Sequence, residues 1–63
     1  MWETRIDYTY AIEDEYGFTD SVTVMTKEKV NDCNEAERLL ADELTGKYEE
    51  WDLSDFESNE VAF

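Results

Sequence analysis

Residues 2–12 alternate without a break. Trp2, Thr4, Ile6, Tyr8, Tyr10 and Ile12 fall on one side, and Glu3, Arg5, Asp7 and Thr9 on the other. That is the period of a strand, whose successive side chains point to opposite faces. The stretch Glu13-Asp14-Glu15-Tyr16-Gly17 reads as a turn, with Gly17 free to take positive φ. From Phe18 to residue 26 the chain is rich in β-branched residues, with Phe18, Val22 and Val24 on one face, so a second strand follows. The two strands are expected to form an antiparallel hairpin with a loop longer than the minimum.

The pattern then changes to helical spacing. Asp32 suits an N-cap, and Glu35 three residues later completes a capping-box pattern. Cys33, Ala36, Leu39, Leu40 and Leu44 make the apolar stripe, and Gly46 stands where a helix-ending glycine belongs. Beyond it Trp51 and Leu53 share a face opposite Glu50 and Asp52, which predicts a third strand over 47–53. Ser54-Asp55-Phe56-Glu57 fits either one helical turn or a loop. Val61 and Phe63 could add a short edge strand or cap the core. The expected fold is a small α+β domain in the order β-β-α-β, a helix packed on one face of an antiparallel sheet. One domain spans 1–63, with 54–63 allowed as a loosely ordered acidic tail.

Length reinforces the single-domain reading, because 63 residues fall short of the ~100–200 typical of a domain. So small a core makes dimerisation or a bound partner a natural supplement, and an unpaired edge strand offers a pairing surface, although acidic side chains discourage it. Hydrophobic residues at 41% and aromatics at 14% are too many for a wholly disordered chain. No apolar run approaches the ~20 residues of a membrane span, and the N-terminus has no signal-peptide pattern. The expectation is a soluble, cytoplasmic protein.

Charge changes the picture most. There are 18 Asp and Glu against 5 Lys and Arg, no histidine, and a net charge of −13. A protein so acidic does not hold nucleic acid through a basic patch of its own, nor dock on anionic membrane. It points to a basic protein partner. Carboxylates gather in the first turn (Glu13, Asp14, Glu15), on the outer helix face, and along 49–60 with Glu49, Glu50, Asp52, Asp55, Glu57 and Glu60. A charge run is usually just a solvated face. Against that stands self-repulsion, a cost that a marginal domain is not expected to carry without a use.

Catalysis is not expected. Without histidine neither a Ser-His nor a Cys-His pair can form. Carboxylate pairs are uninformative when carboxylates are this abundant, and a glycosidase-type pair needs a substrate cleft that so short a chain scarcely walls. Cys33 is the lone cysteine, which precludes an internal disulfide or a cysteine-based zinc site. Its place in the apolar stripe predicts a buried core residue. Neither Asp14-Glu15-Tyr16-Gly17 nor Asp52-Leu53-Ser54-Asp55 follows an EF-hand loop, so no dedicated metal site and no cofactor are expected. Most aromatic rings must build the core, leaving Tyr16 and Phe56, both set among carboxylates, as candidate exposed anchors for an interface.

By size, charge and β-β-α-β order the whole chain resembles the small acidic inhibitors encoded by phages and mobile elements. These are anti-CRISPR proteins, anti-restriction DNA mimics and phage inhibitors of uracil-DNA glycosylase. Leu53-Ser54-Asp55-Phe56-Glu57 also looks like a short stretch of one glycosylase-inhibitor family. The resemblance implies stoichiometric inhibition by occlusion, often as a dimer, with no catalysis and no cofactor. Carboxylate rows would stand in for phosphates in the basic groove of a CRISPR effector, nuclease or glycosylase. The expected partner contacts are Glu13, Asp14, Glu15, Tyr16, Glu49, Glu50, Asp52, Asp55, Phe56 and Glu57. The rival reading is an acidic antitoxin or adaptor that binds a basic protein without competing with nucleic acid.

Overall fold

The strand β1 (Trp2–Ile12) lies at the centre of a three-stranded antiparallel sheet of order β2-β1-β3, flanked by β2 (Glu15–Thr26) and β3 (Trp51–Glu60). The helix α1 (Cys33–Glu43) crosses one face, giving the two-layer β-β-α-β arrangement that the sequence pattern predicts. The computed structural model describes residues 1–62, which measure 42 × 20 × 17 Å.

Alternation along β1 decides which face is covered. Thr4, Ile6 and Tyr8 are buried, and Ile6 and Tyr8 join Leu40 and Leu44 of the helix region in the core. Around them pack Tyr10, Val22, Val24, Leu39, Tyr48, Trp51, Leu53 and Phe56. Tyr48 stacks on Tyr10 at 4.2 Å between ring centres, which fastens the loop after the helix to the sheet. Burial carries the Tyr8 phenol up to about 12, with the nearby Asp20 carboxylate adding to the effect. The buried Thr4 hydroxyl is satisfied by Ser58 directly across the sheet at 2.9 Å, and Ser58 also accepts the Val30 N–H. One hydroxyl thereby ties the loop before the helix to β3.

Asp32 caps the helix, its side chain accepting from the Asn34 N–H at 3.0 Å. The chain leaves the helix through Gly46, at φ 76°, with the Lys47 N–H bonded to the Leu44 carbonyl. Cys33 is exposed rather than buried. It stands at the first turn and, with Glu37, Trp51 and Phe56, borders an open cleft of about 530 Å³ over the β3 edge, so the stripe residues that reach the core begin at Ala36.

Two other expectations are corrected, the long first loop and a third strand over 47–53, and each of the strands concerned carries a bulge. The first loop is the minimal one. Glu13 and Asp14 alone form it, both at positive φ (48° and 69°), the backbone that matches the twist of flanking strands. Gly17 lies within β2 as an extra residue: Tyr10 faces Phe18 while Ala11 faces Tyr16. A Cβ at Gly17 would meet nothing within 4 Å, so its φ of 112° is what demands glycine. The third strand starts at Trp51 and continues through Glu60, taking in the segment for which sequence allows a helical turn, a loop or a loose tail. Ser54 is its extra residue, since Asp7 faces Asp55 while Tyr8 faces Leu53. Val61 follows the strand and donates to the Met1 carbonyl. Phe63 lies outside the described residues.

Candidate functional site

One sheet face carries the helix, and the register assigns the other face its residues. Reading across β2, β1 and β3, the rows are Thr23, Arg5 and Glu57, then Ser21, Asp7 and Asp55, then Thr19, Thr9 and Asp52. Glu3 sits between Met25 and Asn59 at the far end. Neighbouring strands are ~4.8 Å apart and same-face residues along a strand ~6.7 Å. Glu3, Asp7, Asp52, Asp55 and Glu57 therefore form a closely spaced sheet of carboxylates on β1 and β3, beside the uncharged Thr19, Ser21, Thr23 and Met25 that β2 contributes to this face. Arg5 is the cation among them, with its guanidinium 3.5 Å from Asp7 and 3.6 Å from Glu57.

The bulge at Gly17 turns Tyr16 onto this same face. Its hydroxyl donates to Asp52 at 2.5 Å and shares a hydrogen bond with Thr9 at 2.9 Å, so the ring lies across all three strands. Bonding to the Asp52 carboxylate raises the Tyr16 phenol above its ordinary value. The residue remains 52% exposed, a ring held in place yet open to a partner.

A second acidic group lies at the end where the first turn meets the chain entering β3. The Ala11 N–H bonds the Glu50 carbonyl at 3.1 Å and brings the two segments together. Glu13, Asp14, Glu49 and Glu50 surround an open concavity of about 590 Å³ whose floor includes Ile12 and Tyr48, with Lys47 on its wall. Glu15 follows the turn and is exposed. Lys27 and Lys29 belong to the opposite end, where Lys29 sits over the Trp2 ring.

Glu15 stands apart, opposite Ile12 beside the turn, and eight of the ten expected contact residues fall into these two groups, with Asp52 where the face gives way to the end. Phe56 does not. It lies opposite Ile6 on the helix-bearing side, half-buried against the core, because the extra residue Ser54 inverts the alternation of β3. Sequence reasoning missed Glu3, Asp7 and Thr9. The polar side of β1 was a usable signal for them, but the pairing of β1 with β3 was not readable.

Several carboxylates occupy positions their own backbone disfavours. Left-handed φ costs non-glycine residues about 1–2 kcal/mol, and Glu13 and Asp14 both adopt it. Asp42 and Glu43 close the last helical turn with no basic residue there, against the helix dipole. Asp7 and Asp55 are placed directly opposite one another.

No protein family, curated protein or solved structure matches this chain. Among the described residues no cluster of three or more potential ligands is arranged to hold a metal ion, and no helix is long and apolar enough to cross a membrane.

Proposed function

We propose that this protein is a stoichiometric inhibitor that offers carboxylates in place of nucleic-acid phosphates and occludes the basic groove of a host defence or repair enzyme. A CRISPR effector stands first among such targets, with a nuclease or glycosylase behind it. The reading needs no catalysis and no cofactor, and places the protein in the cytoplasm of the host cell. The observation that carries it is the uncovered sheet face. Glu3, Asp7, Asp52, Asp55 and Glu57 lie on this face, and Glu13, Asp14, Glu49 and Glu50 gather beyond its Asp52 end. The 42 Å long axis is comparable to one turn of duplex, ~34–36 Å. A surface of this kind associates fast through steering and weakens with salt.

The fixed ring of Tyr16 favours a second reading, an antitoxin or adaptor that anchors a basic protein through an aromatic contact. A pull-down from host lysate separates the two. Mimicry expects a nucleic-acid enzyme retained at low salt and displaced by added DNA or RNA. A partner that survives high salt and ignores nucleic acid overturns mimicry in favour of the adaptor.

A further inference from the structure

The two edges of the sheet are defended unequally. The β3 edge carries Asp52, Asp55, Glu57 and Glu60 and is broken by the bulge at Ser54. Charges and bulges of this kind are how proteins keep edge strands from pairing. The β2 edge has neither defence over most of its length. From residue 18 to 26 it reads Phe-Thr-Asp-Ser-Val-Thr-Val-Met-Thr, with Asp20 its single charge and no proline or lysine, and its one bulge lies outside at Gly17. Phe18 and Met25 are exposed at 39% and 47%. Only six hydrophobic residues are buried in the described chain, a small core for independent stability.

We infer that β2 pairs antiparallel with β2 of a second copy, centred on Val22, to give a six-stranded sheet of order β3-β1-β2-β2-β1-β3. The centre follows from the strand itself. Pairing about Val22 uses the whole bulge-free stretch 18–26. It keeps both helices on one side of the joined sheet, because it sets even-numbered residues, the helix-side set, opposite even-numbered ones. Phe18 then faces Thr26 of the second copy, Asp20 faces Val24, and Val22 faces Val22, so the helix-side apolar row continues across the junction. On the other face Thr19 meets Met25 and Ser21 meets Thr23. No acid opposes an acid. The equivalent pairing of β3 with itself would bring its carboxylate row against an identical row, an unfavourable contact. The dimer keeps both acidic faces on one side, at its two flanks, and does not depend on what those faces bind.

Net charge gives the test its direction. Two copies at −13 repel, so screening should favour the dimer, the opposite of its effect on binding a basic groove. Sedimentation equilibrium of the full chain, from micromolar to millimolar and at low and high salt, is expected to show a monomer–dimer equilibrium that tightens with salt. Hydrogen exchange should show concentration-dependent protection confined to alternate amides of 18–26. The double variant Thr19→Lys/Met25→Lys places lysines opposite each other twice across the junction, while within the monomer the second new ammonium sits beside Glu3, the β1 partner of Met25. It should weaken association by up to about tenfold despite lowering the net charge. The control Asp55→Asn/Glu57→Gln on the other edge should not weaken it. A monomer throughout, association that survives the lysine pair unchanged, or higher oligomers released by the β3 control would each overturn the inference.

Discussion

Asp7 and Asp55 stand directly opposite each other in the β1–β3 ladder, two carboxylates in register at the middle of the uncovered face. Arg5 reaches Asp7 at 3.5 Å and Glu57 at 3.6 Å, and Asp55 receives neither contact. The Asp55 carboxylate instead accepts the N–H of its neighbour Phe56. Like charges in direct opposition destabilise a sheet by ~0.2–1 kcal/mol. Asp55→Asn should therefore raise the melting temperature at low salt, with the gain shrinking as salt screens the pair. The same change should weaken a basic partner. An unchanged melting temperature together with unchanged binding would deny the pair any role.

The first turn makes the same trade. Asn-Gly is the usual occupant of a two-residue turn with positive φ at both positions. Glu13→Asn/Asp14→Gly is expected to stabilise the fold by ~1 kcal/mol or more, since both residues now sit in left-handed backbone. Chemical denaturation measures the gain. Loss of partner affinity in the same variant would show that the two carboxylates are kept for binding.

These positions also show how far the sequence can be read. The alternation of β1 is uninterrupted, and its covered face follows directly from residue parity. In β2 and β3 parity fails at one residue each. Gly17 sends Tyr16 to the face opposite Phe18, and Ser54 lets Trp51 and Leu53 share a face with Phe56 and Ser58. A single inserted residue resets every position after it. An exposed Tyr16 was foreseeable, but its place over Thr9 and Asp52 was not. Phe56 reads as an exposed ring from its carboxylate neighbours, but the bulge at Ser54 places it opposite Ile6 on the covered face. Cys33 has helical spacing appropriate to the core, yet it borders the open cleft along β3 with Glu37, Trp51 and Phe56, while Ala36 one turn on is the residue that is buried.

Arg5 is the cation of the acidic face, and both its ion pairs are more than one-third exposed. Exposed pairs are worth little, ~0.2–1 kcal/mol. Arg5→Gln should thus cost a small amount of stability at low salt and almost none at high salt. Its effect on a basic partner should run the other way, with tighter binding as the face loses its one opposing charge. Calorimetry on the complex reads the sign directly.

Burial holds the Tyr8 phenol near 12 against an ordinary value of 10. A raised acid in the folded state means the native protein keeps a proton that the unfolded chain gives up. The stabilisation is complete below pH 10 and is lost as pH rises towards 12. Melting temperature should fall across that window, and tyrosinate absorption should show Tyr8 ionising last or only on unfolding. Tyr8→Phe should flatten the alkaline fall, leaving the smaller effects of Tyr10 and Tyr16, whose phenols are also raised.

Charge reversal where the two acidic groups meet separates the binding role from the fold. Glu49 and Glu50 line the concavity, while the bond that fastens this loop to β1 uses the Glu50 backbone carbonyl and no side chain. Glu49→Lys/Glu50→Lys should therefore leave the sheet intact. Asp52→Lys removes the acceptor of the Tyr16 hydroxyl, but Thr9 remains to hold it. The triple variant is expected to keep the circular dichroism of the native fold and to lose binding to a basic target, since three attractive charges become three repulsive ones. The single variant Tyr16→Phe keeps every carboxylate and tests the ring's anchorage alone. Loss of binding in the triple variant with little change in Tyr16→Phe supports phosphate mimicry. The reverse pattern would move the contact from the carboxylates to the ring and favour the adaptor.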